Sequence, residues 1–395
     1  MEAEPSAVTP WSRLSVDVVE LILSYLPLRS AVVASAVCRQ WHAVVSDPGF
    51  ASRADSSRRR RPWLFLYGQN NVVLRKSQAF GFDPDSDAWI ALPPSPSAIH
   101  VDCFAGAGGF FFATTSTTRL CYAPLLRGPW RETSPLRFSR CNPLVGVFSA
   151  PGGRRQFIVV GGGRIGGLVD LDDPLAVEIY DPASDAWELC APMPTEFLRG
   201  NSSHWLTAAL IGNRFFFVFG IFSSSIAAFD LSRRTWTGVQ TLGPPDVLFS
   251  FLLACGDRLI LAGLCSSPER LPGFVLWAVD HLTMDFVEIG EMPRDLLSCL
   301  FDSDDDDNRF ASLKCVGLDG LVYVFMEDPH RGFPACVCEI TQGPSAGAEA
   351  SSAPNLSCSW RKVPPLPGPV DRFHKVVAFC SPVPLNSVLG GGVDG

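Results

Sequence analysis

Two patterns of apolar residues divide the chain near residue 60. Between residues 14 and 45 the apolar positions have helical spacing, since Val18, Leu21, Ile22 and Tyr25 follow the i, i+3, i+4, i+7 order of one helix face. After residue 62, short apolar runs alternate with Gly, Pro, Asp and Ser, which is typical of strands joined by turns. The sequence therefore predicts a small helical head and a large β-rich body.

The first helix of the head poses a physical problem. We expect Asp17, with Glu20 three residues later, to cap its start, and Pro27 to end it because proline has no amide hydrogen. Val19, Leu23 and Leu26 lie off the first apolar face, so the helix is apolar around most of its circumference. So small a module cannot bury such a helix alone, and either the rest of the chain or another protein must cover it.

Two further helices are expected in the head. Ser30 can cap a second helix over residues 31–37, and a third should cover residues 40–45. Residues 47–49, Asp-Pro-Gly, should stop the third helix. Residues 52–61 then resemble a solvated linker. Its four terminal arginines favour a charged domain boundary over a nuclear-import or nucleic-acid patch.

One short unit recurs along the body. It begins with an aromatic residue, continues through a turn such as Asp-Pro-x-Ser-Asp, and ends seven positions later at a tryptophan. We expect the aspartates to bond nearby amides and the tryptophan to begin a strand that packs against the neighbouring sheet. Clear copies are residues 82–89 and 180–187, and a weaker copy is 229–236. A degenerate copy, 279–286, begins with valine and ends with phenylalanine, a fifth copy, 122–130, has one extra residue, and a stretched sixth ends at 360–364.

These units resemble the kelch repeat: a hydrophobic strand, glycines, then an aromatic residue, a turn and a tryptophan. Residues 157–163 show the first part of that order. The resemblance implies a β-propeller of about six four-stranded blades. The first unit, beginning at Trp63, lacks an innermost strand, and residues 373–380 are expected to supply it and close the ring. Spacing alone leaves open an array of hairpins in another all-β fold.

The head resembles the F-box. The resemblance rests on residues 14–17 (LSVD), 20–30 (ELILSYLPLRS), 37–41 (VCRQW) and 47–50 (DPGF). Two positions depart from the family: Ser15 follows Leu14 where proline is frequent, and Arg39 replaces a frequent lysine. A single F-box before kelch repeats, in a chain rich in Arg, Ala and Gly, is similar to plant members of the family.

The resemblance implies partners. An F-box binds a Skp-type adaptor, which links it to cullin and RING subunits, and that adaptor would cover the apolar helices. The sequence does not divide contact residues from the module's own core. The expected adaptor-binding residues are Leu14, Leu21, Ile22, Leu26, Pro27, Leu28, Val37, Cys38 and Trp41.

The predicted fold class is mainly β, with a small N-terminal α-helical F-box before a kelch-type propeller closed by a C-terminal strand. The expected limits are a disordered N-terminus at 1–10, the F-box at 11–50, a linker at 51–62, the propeller at 63–380, and a disordered tail at 381–395.

Composition narrows the class of protein. The chain has 395 residues, of which 47% are hydrophobic and 18% charged, as in a packed globular protein. A net charge of −8 gives no reason to expect direct nucleic-acid binding. The 13 cysteines form no C-x-x-C pair, and neither a secretory signal nor an apolar run of membrane-spanning length is present. We expect free thiols, no membrane association, and a cytoplasmic or nuclear location.

Candidate chemistry is sparse. The six histidines show no metal spacing. Cys336 and Cys338 on a predicted strand, taken to face opposite ways, favour packing over ligation. The glycines of 161–167 are not followed by a helix, and the acidic run at 302–307 lacks the glycine and glutamate of a calcium loop. We expect no catalytic residue, metal or cofactor; the ligands of kelch-type copper oxidases have no apparent counterpart.

The target would bind one face of the propeller. In a four-stranded blade, the loops between second and third strands and those between blades share a face, which also receives the acidic run at 304–307. The candidates there are Arg164, Arg199, Asn201, Arg270, His330 and Arg331. We expect a protein target, with an acidic segment facing the arginines.

The expected function is that of a substrate-recognition subunit of a Skp-cullin-F-box ubiquitin ligase. Two alternatives stay open on the sequence: a scaffold or transcriptional cofactor without a role in degradation, and a kelch enzyme. The sequence does not identify the target or the trigger for its recognition.

Overall fold

The head contains four short helices rather than three. The computed structural model describes residues 14–57, 61–69, 77–92, 103–114, 118–126, 129–162, 173–200, 205–267, 270–301, 312–327, 334–342, 356–367 and 375–385. The helices of the head are α1 (Val16–Ser24), α2 (Leu28–Ala34), α3 (Arg39–Val45) and α4 (Pro48–Ser57).

The helix starts differ from those expected. Ser15, not Asp17, caps α1, and its Oγ accepts a hydrogen bond from the Val18 amide at 3.4 Å. The second helix begins directly after Pro27, so Ser30 lies inside α2 instead of capping it. Proline suits this position because its fixed φ precedes the helix and the first amides need no partner within it.

Helix α4 corrects the expectation of a linker from residue 52. Asp47 ends α3 and starts α4 at once, because its carboxylate accepts the Phe50 amide at 2.9 Å and Pro48 occupies the first helical position. Phe50, Ala51 and Ala54 are buried in the core of the head. The Asp-Pro-Gly sequence therefore separates two helices and does not end the helical region.

The described part of the body is a ring of six antiparallel four-stranded blades, as predicted; a parallel bridge between Ala254 and Leu318 joins blades 5 and 6 into one eight-stranded sheet. Named from the inside outwards, blade 1 contains β25 (Lys375–Ser381), β1 (Trp63–Gln69), β2 (Gln78–Asp83) and β3 (Ala88–Leu92). Blade 2 contains β4 (Cys103–Ala107), β5 (Phe110–Thr114), β6 (Leu120–Pro124) and β7 (Arg131–Glu132). Blade 3 contains β8 (Leu144–Ser149), β9 (Arg155–Val160), β10 (Val177–Asp181) and β11 (Ala186–Cys190).

The second half of the ring repeats this order. Blade 4 contains β12 (Leu206–Ile211), β13 (Phe215–Gly220), β14 (Ser225–Asp230) and β15 (Thr235–Trp236), with β16 (Gln240–Thr241) also paired to β14. Blade 5 contains β17 (Val247–Cys255), β18 (Arg258–Ser267), β19 (Arg270–Val279) and β20 (Phe286–Glu291). Blade 6 contains β21 (Leu313–Leu318), β22 (Leu321–Met326), β23 (Ala335–Gln342) and β24 (Leu356–Lys362). A short 3-10 helix (Thr195–Gly200) and α5 (Arg294–Ser298) lie between blades.

The C-terminal strand closes the ring. β25 pairs antiparallel with β1 along its whole length, from Trp63 opposite Ser381 to Gln69 opposite Lys375. The six inner strands contact one another in order around the ring, and β21 of blade 6 contacts β25. The prediction of a closing strand is thus confirmed, and closure leaves no open sheet edge between the first and last blades.

The recurring turn joins the two outer strands of a blade as its residues require. Asp83, Asp181, Asp230 and Asp280 each accept the amide of the residue two positions later, at 2.8–3.0 Å. The turn ends on a residue with positive φ, which Asp87 adopts at 51° and Asp185 at 48°. The aspartates therefore bond nearby amides as expected.

In blades 1, 3 and 4, the tryptophan of the repeat ties the blade to the one before it. The Trp89 indole donates to the Pro364 carbonyl at 2.7 Å, and Trp187 donates to the Ser134 carbonyl at 2.7 Å. Both acceptors follow the outer strand of the preceding blade. Trp236 of blade 4 makes the same bond, to Ala191 beyond blade 3, at 3.1 Å. These bonds confirm that the repeat tryptophans pack against the neighbouring sheet.

The two faces of the ring carry different parts of the chain. Inner strands begin at the face that we call the upper face, where the links between second and third strands and between blades also lie. The head lies at the opposite, lower face: Arg29 donates to Ser86 in the β2–β3 turn at 3.4 Å. One apolar cluster runs from Leu23 in α1 to Trp63 and Phe65 in β1.

Candidate functional site

Helix α1 has two apolar sides, and only one faces the protein. Leu23 is 0% exposed and Val19 is also buried, both in the cluster shared with blade 1. Leu21 is 57% exposed and Tyr25 is 65% exposed on the other side. The face first recognised from its helical spacing is therefore the exposed one, and the residues off that face form the core.

The structure divides the nine residues expected to contact an adaptor. Leu21, Ile22, Val37 and Cys38 are exposed. Leu28 is buried within the head, while Leu14, Leu26 and Trp41 are half-buried against the same cluster, and Pro27 is half-buried. Cys38 also has a local role, since its sulfur accepts the Trp41 amide at 3.4 Å and caps α3.

Exposed apolar side chains of the head include residues outside the set that was expected to contact an adaptor. We call the surface that they form the head apolar surface; its members are Val16, Val18, Leu21, Ile22, Tyr25, Val33 and Val37. Val18 and Tyr25 were visible in the helical spacing but were not assigned to binding. Val16 and Val33 were missed, and the signal that could have found them is an apolar residue on the side of a short helix opposite its core.

Ionic contacts brace the helices behind this surface. Arg53 of α4 pairs with Glu20 of α1 at 2.5 Å and with Asp47 at 3.1 Å. The hydrogen bond that Arg53 donates to Glu20 is the main cause that raises the pKa of the Arg53 guanidinium. All three groups are partly solvated, so the contacts orient α1 against α4 more than they stabilise the fold.

The residues expected to bind a target lie largely outside the described part of the chain. Arg164, Asn201, His330 and Arg331 belong to segments that are not described, as does the acidic run at 304–307. For Arg199, at the end of the 3-10 helix, and Arg270, the first residue of β19, only the backbone is described.

An aromatic cluster lies on the upper edge of blades 4 and 5. The rings of Trp205 and Phe222 meet edge to face with centroids 5.0 Å apart, and Phe249 lies 5.8 Å from Phe222. Lys314 of blade 6 places its Nζ 5.5 Å from the Trp205 ring centroid and 3.3 Å from a Glu327 carboxylate oxygen. A cation so placed over an indole is attracted by the ring's quadrupole.

Blade 5 adds apolar residues beside this cluster. Its strands β18 and β19 have 10 residues each, against five or six in the corresponding strands of blades 2 to 4. Near this end of the blade, Leu271 is 66% exposed and Leu248 is also exposed. We call Trp205, Phe222, Leu248 and Leu271 the upper apolar cluster. Sequence reasoning missed them because single apolar residues at strand ends have no period.

The described residues offer no metal site. No group of three or more His, Cys, Asp or Glu side chains converges among them. Cys336 and Cys338 are buried in one apolar cluster, so the expectation that they face opposite ways is wrong. Residues two apart on a strand share a face. Within the described chain, no helix combines the length and apolar character needed to cross a bilayer.

Comparison with known proteins agrees with both parts of the fold. The F-box domain model matches residues 11–53. An F-box/kelch-repeat protein of Arabidopsis thaliana is 28% identical over 389 residues, which cover 94% of this chain and 90% of that protein. A second F-box/kelch-repeat protein from the same plant is 21% identical, over 70% of this chain and 63% of its own length. F-box only protein 6, also from Arabidopsis thaliana, is 23% identical, over 72% and 59%.

The fold was also compared with solved structures. A protein from Lactobacillus plantarum aligns with a TM-score of 0.41 and 12% identity, over 76% of this chain and 82% of its own.

Proposed function

We propose, from the premise that this chain is an F-box/kelch-repeat protein, that it is the substrate-recognition subunit of a Skp-cullin-F-box ubiquitin ligase. Such a subunit needs no active site of its own. It raises the effective concentration of a target lysine near the ubiquitin carrier by holding both in one assembly. The head would recruit the adaptor, and the propeller would hold the target.

The head apolar surface carries this proposal. Exposed apolar patches on a stable protein mark interaction sites, because water contact with apolar area is unfavourable. Here the patch lies on short helices whose opposite side is already buried in the apolar cluster that extends to blade 1. A Skp-type adaptor would cover Leu21, Ile22 and Tyr25 as a core, with Val33 and Val37 at its margin. Cullin and RING subunits would follow through the adaptor.

Introducing negative charge into the head apolar surface tests the adaptor contact. The double variant Leu21→Asp, Ile22→Asp is expected to weaken co-purification with a Skp-type adaptor by at least ~100-fold, since two buried contacts are replaced by unpaired carboxylates. Circular dichroism should be unchanged because both side chains are exposed. Leu271→Asp, equally exposed but on the upper face, is the matched control and should bind normally.

Wild-type protein that binds no Skp-type adaptor would refute the proposal that the head recruits such an adaptor. A double variant that binds as well as wild type would instead refute the assignment of the head apolar surface.

The upper face is the proposed site for a protein target. It is opposite the head, so target and adaptor would not compete for one surface. The upper apolar cluster supplies aromatic anchors of the kind that dominate protein interfaces. The expected arginines at 164, 199, 270 and 331 remain part of this proposal, because their positions in the sequence assign them to the links on the upper face. They would suit an acidic segment of the target.

Proximity labelling under proteasome inhibition tests the upper face. Proteins labelled by the wild-type chain, and accumulating when the proteasome is blocked, are candidate targets. Trp205→Ala with Phe222→Ala should reduce their labelling, whereas adaptor binding should remain. Arg164→Glu with Arg199→Glu is a second arm for the acidic segment. Unchanged labelling in both double variants would show that targets bind elsewhere.

A further inference from the structure

Two cysteines from different blades meet on the upper side of the ring. The sulfur of Cys103 lies 3.4 Å from the sulfur of Cys141, and neither cysteine forms a disulfide in this structure. Cys103 is the first residue of β4, the inner strand of blade 2. Cys141 lies just before β8, the inner strand of blade 3. Their contact therefore bridges two neighbouring blades at the end where inner strands begin.

The backbone holds Cys141 in this place. Its amide donates to the Gly162 carbonyl at 2.6 Å. The preceding residue, Arg140, is fully buried: its Nη2 pairs with Glu178 Oε2 at 2.5 Å, and its Nη1 donates to the carbonyl of Gly161 at 2.8 Å. A buried charge pair with these extra bonds is costly to break. The position of the Cys141 sulfur is thus set by blade 3 itself.

The backbone of β4 holds Cys103 equally. Cys103 is 3% exposed and lies opposite Thr114 in the β4–β5 ladder. Opposite residues of an antiparallel pair project to the same sheet face, with Cβ atoms about 4.5–5.5 Å apart. The Thr114 hydroxyl, also 3% exposed, has no hydrogen-bond partner among the described residues.

Polar groups around the sulfurs suit thiol chemistry. The Asn142 amide Nδ2 lies 3.7 Å from the Cys141 sulfur, where it can donate. A buried hydroxyl without a partner has a cost, which a redox role can explain. Thr114 is opposite Cys103 in the ladder and projects to the same sheet face, from which its hydroxyl could donate a hydrogen bond to a Cys103 thiolate. The attacking species in thiol–disulfide exchange is a thiolate, which such donors stabilise.

We propose that Cys103 and Cys141 form a modification site: a reversible disulfide that links blades 2 and 3. The oxidant is a low-molecular-weight disulfide of the oxidised-glutathione class. Bond formation requires the sulfurs to approach from 3.4 Å to about 2.05 Å, a shift that side-chain rotation can supply between two fixed strands.

The exchange proceeds in two balanced steps. Cys141 is half-exposed and reacts first: its thiolate attacks one sulfur of the small disulfide, forms a mixed disulfide, and releases one glutathione thiolate. The Cys103 thiolate then attacks the Cys141 sulfur and releases the second. Two protein thiols and one small disulfide become one protein disulfide and two small thiols. The reverse exchange, with a reduced thiol, opens the bridge.

The full chain tests this directly. After incubation in a buffer of oxidised glutathione, followed by alkylation of remaining thiols, mass spectrometry of unreduced peptides should show Cys103 joined to Cys141. Thiol titration should find two fewer free thiols than the 13 of the reduced chain. The oxidised form should unfold several degrees higher, because the bridge restricts the unfolded chain. A reductant should restore both properties.

Variants separate the bridge from unspecific oxidation. In Cys103→Ala the second step is impossible, so Cys141 should retain bound glutathione. Cys190→Ser, which changes another half-exposed cysteine, should leave the bridge intact. The proposal is overturned if wild-type protein carries glutathione on Cys141 without forming the bridge, or if the only cross-link joins other cysteines, such as Cys338 to Cys358.

Discussion

The head and the propeller contain similar apolar side chains but differ in how completely they bury them. In the propeller, a residue such as Phe157 of blade 3 is covered by its own sheet and by aromatic rings of blade 2. In the head, Leu23 is buried in the apolar cluster that the helices share with blade 1, while Leu21, two residues away, faces outwards. A closed ring buries both faces of each sheet, but a few short helices have too little volume to bury both sides of any one of them. On helix α1, apolar character therefore does not by itself distinguish a core residue from an exposed one.

Removal of the closing strand should have the largest effect. A chain that ends at residue 374 lacks β25, so β1 loses its inner partner and the apolar residues of blade 1 are exposed. We expect loss of the cooperative thermal transition, measured by circular dichroism, and aggregation from the open edge. A chain ending at Leu385 retains β25 and is the control. A normal transition in the shorter chain would show that the blades are stable without closure.

A pair of leucines on α1 should sharpen the contrast within the head. Leu23→Ala removes a fully buried side chain and should cost about 2–5 kcal/mol of local stability. Leu21→Ala should change stability by less than about 0.5 kcal/mol, yet weaken adaptor binding. Hydrogen exchange of α1 amides measures the first effect, and adaptor titration the second. Equal exchange in the two variants would mean that the head core does not depend on Leu23.

The tryptophan ties between blades should have a smaller effect. Trp187→Phe keeps an aromatic ring but removes the bond to the Ser134 carbonyl, which should cost about 1 kcal/mol. Denaturant unfolding measures this loss. Trp205→Phe is the matched control, because that ring is partly exposed and precedes β12 instead of following a blade turn. Its effect on stability should stay below about 0.5 kcal/mol. Similar losses for both would show that the tie contributes nothing beyond ring packing.

Local chemistry explains which parts of the fold were predictable. The turn aspartates and the repeat tryptophans act over a few positions, so their spacing predicted strands joined by turns, and the resemblance to the kelch repeat predicted the blades. The closing strand was predictable because the first unit lacked a member. Helix α4 was not, because its composition resembles a linker and only burial of Phe50 and Ala54 shows its packing. Ser15 displaced Asp17 as cap because a cap depends on where the helix starts.

The candidate sites show the same limit. The head was identified from its motif, but its nine expected contact residues could not be divided into core and surface. The upper apolar cluster is assembled from residues at strand ends of separate blades, so no sequence period indicates it. The Cys103–Cys141 contact joins residues that are 38 positions apart, and nothing in their spacing predicts it.

The sequence by itself determined that α1 is a helix, that the body repeats as blades, and that one strand must return from the C-terminus. Each of these follows from interactions between residues close in sequence or from a repeat. Only the tertiary structure decided which side of α1 faces inwards, because both sides are apolar and a helical period has no preferred direction. Packing of α1 against α3 and α4, in the apolar cluster that continues to Trp63 and Phe65, makes that choice, burying Leu23 and leaving Leu21 exposed.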